Sequence, residues 1–272
     1  MFISCIGSGV MGTALMKAAA QSIGGSHIGF TDVDPVRVGA AAEEAGGMVF
    51  SDNISALEKA DWAFLAVKPV ALPGLLDEIH SVLLKRLRDE RAILLVSPVA
   101  GWSIKKIRDT VGIDNQPLVR IMPNLPVLVR EGMIACTPSP EITEVQWAEL
   151  QQILSCAGSV DRIDESLLDA VTALSGSGPA FSALFIESLA DGGVRAGLSR
   201  EKALRYAVQT VLGSAALLKE TGMHPALLKD KVCSPAGTSI AGVEALEAGG
   251  FRGTLMKAID AAFDRTKRLA TT

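Results

Sequence analysis

Histidine and cysteine, which most often bind metals or form disulfides, are scarce in this chain of 272 residues. Its three histidines and four cysteines are scattered, with no CxxC pair and no metal-ligand spacing, which argues against a zinc site and a disulfide framework. The net charge of −4 offers no basic excess to nucleic acid. No apolar run approaches the roughly 18 residues typical of a transmembrane helix. We therefore expect a cytoplasmic protein that holds no metal and binds neither nucleic acid nor a membrane.

Aromatic residues are also few, at 4%, although 49% of the chain is hydrophobic. The apolar excess therefore consists of alanine, valine, isoleucine and leucine, which fill buried parallel sheets and tightly packed helices. An excess of this size also suggests apolar surface that is buried between subunits.

Short apolar segments alternate with helical patterns in the first 160 residues. Six segments predict buried strands, at 2–6, 27–32, 62–67, 92–97, 118–122 and 133–137. Strands and helices that alternate at this spacing predict βαβ units and a mostly parallel sheet. Long helical patterns follow, at 164–174, 178–197, 200–220, 224–232, 238–248 and 253–270. We therefore predict an α/β domain over residues 1–160 and an all-α domain over residues 161–272.

The segment GSGVMG, residues 7–12, follows the first predicted strand and opens the first predicted helix. In a G-x-G-x-x-G loop, Gly7 permits the tight turn, Gly9 lets the backbone approach a pyrophosphate, and Gly12 allows close helix–strand packing. Asp32 ends the second predicted strand 20 residues after Gly12, where such folds place the acid that binds a ribose hydroxyl. The first domain is therefore predicted to be a Rossmann domain that binds NADH or NADPH.

Charges around the predicted ribose pocket leave the choice between NADH and NADPH open. Asp32 and Asp34 would repel a 2′-phosphate, whereas the guanidinium of Arg37 would suit it. Lys68 could contact a phosphate or the substrate, or it could be a solvated loop lysine. Asn53 could cap a helix or contact the adenosine half of the cofactor.

Five segments, in order along nearly the whole chain, resemble the pyrroline-5-carboxylate reductase family. They are GSGVMG (7–12), FLAVKP (64–69), VRIMPNLP (119–126), SGSGPAF (175–181) and KDKVCSPAGTSIAGVEALEAGGFR (229–252). The resemblance implies a Rossmann domain followed by a helical domain that interlocks with a second subunit into a homodimer, with a ring of dimers as a further assembly. It also implies that 1-pyrroline-5-carboxylate is reduced to L-proline with NAD(P)H, the last step of proline biosynthesis.

The loop at residues 233–239 has no histidine, lysine or paired carboxylates, which fits a reaction whose chemistry belongs to the cofactor. Donors from Ser234, Gly237, Thr238 and Ser239 would bind the substrate carboxylate at a helix N-terminus. In the family, the residue before the isoleucine of this loop is usually a threonine that meets the ring nitrogen. Here that position is Ser239, and we expect Ser239 and Thr238 to be the catalytic residues.

The expected site draws on both predicted domains. The resemblance gives Ser175 and Gly176 a role in positioning the substrate and places Met122, Pro123 and Asn124 at the nicotinamide end. In an open α/β sheet, ligands lie beyond the carboxyl ends of the strands, which adds the segments AVKP and SPVAG. The expected cofactor-binding residues are Gly7, Ser8, Gly9, Val10, Met11, Gly12, Asp32, Arg37, Asn53, Ala66, Val67, Lys68, Pro69, Val99, Ala100, Gly101, Met122 and Asn124.

The chain departs from the family pattern at several positions. Ser239 lacks the methyl group of the usual threonine, and Ala236 stands where the family tends to have a glycine. Pro98 and Val99 replace small residues, and the acidic segment TDVDPVR (31–37) weakens the usual preference for NADPH.

Other functions stay open on the sequence alone. One is another imine reductase, and another is a β-hydroxyacid dehydrogenase of the same two-domain plan. The dehydrogenase commonly needs a lysine base on the helix after SGSGPAF, and no lysine follows that segment before Lys202. A non-catalytic regulator would bind the dinucleotide without turnover.

Overall fold

Strands and helices alternate in the first part of the chain, as the sequence predicts. The structure is a computed structural model that describes residues 1–270, with side chains described as far as residue 268. Within that range the strands are β1 Ile3–Ile6, β2 Ile28–Thr31, β3 Met48–Val49, β4 Trp62–Leu65, β5 Leu94–Ser97, β6 Leu118–Pro123, β7 Gly132–Pro138 and β8 Gly158–Arg162. The helices among them are α1 Val10–Ile23, α2 Pro35–Ala45, α3 Asn53–Lys59, α4 Leu72–Arg88, α5 Ile104–Val111 and α6 Glu144–Leu154.

These strands form one sheet in the order β3-β2-β1-β4-β5-β6-β7-β8. Every neighbouring pair is parallel except β6 and β7, so the predicted mostly parallel sheet is confirmed. The chain runs outward from β1 to one edge and then returns to place β4 on the other side of β1. This reversal makes the carboxyl ends of β1 and β4 a topological switch point, where ligands bind in open α/β sheets.

Two strands of the sheet are missing from the sequence prediction. The first is β3, which has two residues at the sheet edge, too few to show a period. The second is β8, whose sequence GSVDR is mostly exposed at the opposite edge. An edge strand with little buried apolar surface leaves no clear hydrophobic pattern in the sequence.

The central strands are buried on both faces, which explains their continuous apolar sequences. Strands β1, β2, β4 and β5 have no exposed residue, and Trp62, Phe30 and Phe64 are among the largest fully buried side chains. One core lies against α1, α2 and α6, and the other lies against α4 and α5. The sheet thereby holds the loops at its carboxyl edge on a rigid base.

The chain divides into two compact units. One comprises Met1–Gly176 and the described residues from Phe263 to residue 270, and the other is Ser177–Ala262. After β8, α7 Leu168–Val171 leads into a π-helical turn at Thr172–Gly176. The later helices are α8 Gly178–Arg195, α9 Arg200–Thr221, α10 Pro225–Val232, α11 Thr238–Ala248 and α12 Phe251–Ala270. The domain boundary near residue 160 stays a prediction.

The helical unit buries little of its own apolar surface. Its buried hydrophobic cluster consists of Ala190, Ala203 and Ala207. Large apolar side chains on its helices are exposed, among them Leu184, Tyr206, Leu212, Leu227 and Met256. An apolar groove of about 500 Å³ also opens on this unit, lined by Phe181, Phe185, Leu189, Leu246, Phe251 and Leu255 among others. Exposed apolar surface of this extent is typical of a protein–protein interface.

None of the helices in the described part of the chain has the length and apolarity needed to cross a membrane.

Candidate active site

The glycine-rich loop between β1 and α1 lies against the end of β4. Gly7 has a φ of +99°, and a Cβ there would lie 2.4 Å from the carbonyl oxygen of Ala66. A Cβ on Gly12 would lie 2.4 Å from the carbonyl oxygen of Gly7. Neither position can hold a larger residue without moving the backbone, because real Cβ atoms do not approach an oxygen so closely. Gly9 differs, since a Cβ at that position would meet no atom within 4 Å.

A cleft of about 830 Å³ opens beyond the carboxyl ends of β1, β2 and β4. Helix α1 begins at this cleft, and its N-cap residue, Gly9, has no side chain to cap the first N–H groups of the helix. The first N–H groups of a helix lack partners within the helix and attract phosphate. The predicted residues that line the cleft are Gly7, Gly9, Asp32, Arg37, Asn53, Ala66, Val67 and Lys68. The space and the donors fit the pyrophosphate of a dinucleotide.

Asp32 joins the end of β2 to the glycine-rich loop. Its Oδ2 accepts a 2.6 Å hydrogen bond from the Ser8 backbone N–H, and its Oδ1 accepts one of 3.0 Å from the Asp34 backbone N–H. Only 7% of the Asp32 side chain is exposed, and Nη1 of Arg37 lies 3.9 Å from Oδ2. Ser8 is itself buried, and its hydroxyl donates to the Thr31 carbonyl oxygen at 3.4 Å.

Asn53 does not cap α3, so that interpretation of the sequence is wrong. The cap is Asp52, whose side chain accepts from the Ser55 N–H at 2.7 Å. Asn53 instead accepts a hydrogen bond from the Thr31 hydroxyl at 2.6 Å. Its amide also donates to both carboxylate oxygens of Glu78, at 3.1 and 3.0 Å. Glu78 thus lines the cleft, although no local signal in α4 marks it in the sequence.

The other predicted cofactor residues differ in exposure. Lys68 is exposed where it lines the cleft, and Pro69 begins a 3₁₀ turn beside it. Val10 is exposed in a neighbouring groove, whereas Met11 packs partly buried against the core. In the SPVAG segment Val99 is buried, Ala100 is exposed and Gly101 is half-buried with a φ of +77°. Met122 is buried against Ala135 and Leu168.

Asn124 and Ser175 form hydrogen bonds although they lie 51 positions apart in the sequence. The Asn124 amide donates to the carbonyl oxygen and to the hydroxyl oxygen of Ser175, both at 3.1 Å. Its own oxygen accepts from the Met133 N–H at 2.9 Å. Ser175 and Gly176 end the π-helical turn, a feature that occurs often at functional sites. The structure therefore brings two of the predicted site segments together.

The loop before α11 presents hydrogen-bond donors on its surface. The N-cap of α11 is Gly237, which has no side chain to cap the helix, and its N–H donates to the Ser234 carbonyl at 3.0 Å. Ser234 and Thr238 are exposed, and Ser239, in the first turn of the helix, is half-buried. The N–H groups of that turn and the nearby hydroxyls can hold a carboxylate without a cationic side chain.

Ala236 is strained in this loop. Its φ of +56° lies in the left-handed region, which disfavours any residue with a Cβ. Strain of this kind persists at functional sites because the surrounding structure fixes the backbone.

We expect Ala236→Gly to raise the free energy of unfolding by about 1 kcal/mol, because glycine relieves the strain at a positive φ. Urea unfolding at one fixed protein concentration would measure the change. The matched control is Ala245→Gly in the exposed interior of α11, which should lower stability by about 1 kcal/mol. A loss of stability in both variants would contradict the strain argument.

Two buried thiols, Cys5 beside the glycine-rich loop and Cys136 in β7, are unsuited to covalent or redox chemistry. Burial, with the charge of Asp32 adding to it, raises the pKa of Cys5 to about 12. Burial also raises the pKa of Cys136 to about 12. Both groups are therefore neutral thiols at physiological pH.

Two family models match separate parts of the chain. Residues 165–269 match the family described as "Pyrroline-5-carboxylate reductase dimerisation". Residues 3–101 match the one described as "NADP oxidoreductase coenzyme F420-dependent". The two matches cover the helical region and the cofactor cleft respectively.

Several curated proteins named pyrroline-5-carboxylate reductase are similar to the chain over most of its length. The protein of Synechocystis sp. is 43% identical over 81% of this chain and 79% of its own. The protein of Methanosarcina acetivorans is 39% identical over 98% of this chain and 97% of its own. That of Escherichia coli is 36% identical over 98% of each.

Solved structures agree with these relatives. A pyrroline-5-carboxylate reductase from Coxiella burnetii matches with a TM-score of 0.91 and 30% identity, covering 99% of this chain and 98% of that one. The Plasmodium falciparum pyrroline carboxylate reductase with NADP bound matches with a TM-score of 0.85 and 29% identity, over the same shares. A prephenate dehydrogenase from Aquifex aeolicus, at 12% identity and a TM-score of 0.54, shares the fold alone.

Proposed function

The chain belongs to the pyrroline-5-carboxylate reductase family, and from that premise we propose how its own residues carry out the reaction. It is an NAD(P)H-dependent oxidoreductase that reduces the C=N bond of 1-pyrroline-5-carboxylate to give L-proline, the last step of proline biosynthesis. The observation that carries the proposal is the open cleft at the N-terminus of α1, with Gly9 and Asp32 on its wall.

The cofactor, when bound, supplies the hydride that the substrate carbon receives. We assign the pyrophosphate to Gly9 and the first N–H groups of α1, because these are free donors beside an open space. Asp32 and Asn53 would border the ribose, and Lys68 is a candidate for a phosphate contact. Met122 and Asn124 would shape the nicotinamide end, with Asn124 held by Ser175 and Met133.

The loop before α11 would bind the substrate. Its Ser234 and Thr238 hydroxyls and the N–H groups after Gly237 suit a carboxylate. Ser239 would place its hydroxyl at the ring nitrogen, which gains a proton as the imine becomes an amine. A hydroxyl can hold that nitrogen in position and pass on a proton from water, so orientation supplies most of the rate.

We propose that two copies associate through the C-terminal helices. The match to a dimerisation family and the exposed leucines of α8 and α9 support this assembly. In such a dimer, the loop of one subunit would complete the cofactor cleft of its partner. A ring of dimers and a cytoplasmic location are further proposals, the latter in keeping with four free cysteines.

Two inactive variants would test whether the site is shared between subunits. One would carry Gly9→Asp, which puts a carboxylate into the phosphate end of the cleft, and the other Ser239→Ala, which removes the loop hydroxyl. A mixed dimer would then hold one site with both parts intact, so random mixing should restore about a quarter of the wild-type activity. The measurement is turnover after co-expression, with the two parents as controls. If mixed dimers were shown to form but had no activity, the cleft and the loop of each site would belong to the same chain.

The reaction itself is tested by loss of reduced-nicotinamide absorbance with 1-pyrroline-5-carboxylate. Turnover with NADH or NADPH and formation of proline are expected. Nucleotide binding without turnover would favour the non-catalytic regulator, and turnover of a different cyclic imine or a hydroxyacid would favour the related reductases and dehydrogenases.

A further inference from the structure

We propose that this chain binds NADH in preference to NADPH, because carboxylates at the ribose end of the cleft hold the guanidinium of Arg37. The inference rests on the proposed function and refines it, since it names the cofactor that the cleft selects. It concerns Asp32, Asp34, Arg37, Asn53 and Glu78, and each of them is held by contacts in the same compact unit.

Arg37 lies between two carboxylates. Its Nη2 lies 3.3 Å from Oδ2 of Asp34, and its Nη1 lies 3.9 Å from Oδ2 of Asp32. The positive charge that could bind a 2′-phosphate is therefore already matched. These three side chains together carry one net negative charge, and a phosphate would add up to about two more.

The Asp34 carboxylate is fixed by its place in the fold. It is the N-cap of α2, and its Oδ1 accepts from the N–H groups of Val36 and Arg37 at 3.0 and 3.2 Å. The hydrogen bond from the Arg37 backbone N–H is the main cause that lowers the pKa of Asp34, with the Arg37 charge contributing. Asp34 is therefore charged at neutral pH, and rotation away from Arg37 would also cost the helix its cap.

The amide donor of Asn53 is also engaged. Its Nδ2 donates to both oxygens of Glu78, so this neutral donor faces an acid within the cleft. Asp52 lines the cleft as well, and the lining cations are Arg37 and Lys68. An uncharged 2′-hydroxyl can donate a hydrogen bond to such acceptors. A deprotonated 2′-phosphate has only acceptor oxygens, so it meets like charges and donates no hydrogen bond to offset them.

A binding titration separates the two nucleotides without relying on catalysis. The dissociation constants of NADH and NADPH would be measured for the full-length protein by calorimetry. We expect NADH to bind at least about tenfold more tightly, a factor that corresponds to roughly 1.4 kcal/mol. Equal or tighter binding of NADPH would overturn the inference while leaving the proposed function intact. Binding of neither nucleotide would overturn both.

Asp34→Ser is the informative variant. Serine keeps the N-cap of α2 but removes the charge that holds Arg37. We expect the affinity ratio to shift towards NADPH by about tenfold. Adding Arg37→Gln should reverse that shift, because the freed guanidinium is its source.

Asp164→Ser is the matched control for that series. Asp164 is an exposed acid that caps the turn at Glu165–Leu167 and lies outside the cleft. The same chemical change there should leave the ratio of the two affinities as in the wild type. If Asp164→Ser shifted the ratio of the two affinities as much as Asp34→Ser does, the effect would not be local to the ribose. An unchanged affinity ratio in Asp34→Ser would likewise contradict the proposal.

Discussion

Ser239→Ala is expected to lower kcat by about 10²-fold, the range seen when one donor aimed at a developing charge is removed. The hydroxyl lies in the first turn of α11, where a Gly237 N-cap leaves the helix start open to a ligand. The ring nitrogen changes from imine to amine in the step that this hydroxyl would assist. The dissociation constant of NADH should stay unchanged, because the cofactor cleft lies at the ends of β1, β2 and β4.

Ser239→Thr is the control that distinguishes loss of the hydroxyl from a disturbance of the fold as the cause of a lower kcat. Threonine keeps the hydroxyl and adds the methyl group that restricts its rotamers, as in the usual family sequence. Single-turnover rates and nucleotide titrations of the three proteins would be compared. If Ser239→Ala kept the wild-type kcat, Ser239 would have no part in the mechanism.

Gly9→Asp is expected to weaken nucleotide binding strongly without unfolding the protein. The Cβ of residue 9 would meet no atom within 4 Å, and the backbone has φ −74° and ψ 178°, which an aspartate adopts readily. Asp is also a favoured N-cap, so α1 should be no less stable. The new carboxylate, however, would occupy the place of the pyrophosphate and repel it. We expect affinity for either nucleotide to fall at least about 10²-fold, equal to roughly 2.7 kcal/mol.

Thermal unfolding without ligand and calorimetric titration would be measured on the same samples. Gly9→Ala is the matched control, because it adds a Cβ in the same open space without a charge and should bind far better than the aspartate variant. Gly12→Ala should, in contrast, reduce the stability of the protein, because the added Cβ would lie 2.4 Å from the Gly7 carbonyl oxygen. Unimpaired binding in Gly9→Asp would remove this loop from the cofactor site.

Much of the helical framework could be predicted from local signals. The predicted range 238–248 is the observed extent of α11, and the start of α9 follows Ser199, whose hydroxyl accepts from the Lys202 N–H. Pro35 opens α2, and Gly46 ends it with a left-handed φ of +65°. Caps, proline and glycine act over a few residues, so their effects can be recognised without the fold.

Parts of the site depended on contacts between distant residues. The Asn53–Glu78 pair joins residues 25 positions apart, and the Asn124–Ser175 pair joins residues 51 apart. Sequence motifs marked Asn53, Asn124 and Ser175 but gave no sign of Glu78. A glutamate in a helix is usually solvated, and only the packing of α4 against α3 places this one in the cleft, beside Asn53.

Local sequence was enough to identify the dinucleotide loop and its acid, because Gly7 and Gly12 fill positions where a Cβ would strike the backbone. Five segments in one order were enough to identify the family. The pairing of the charges near the ribose, in contrast, is visible only in the folded chain. From the sequence alone, Asp32 favours NADH and Arg37 favours NADPH. In the fold, the guanidinium of Arg37 lies beside the carboxylates of both Asp34 and Asp32. Charge pairing depends on distances of a few ångströms, which the order of residues along a chain does not specify.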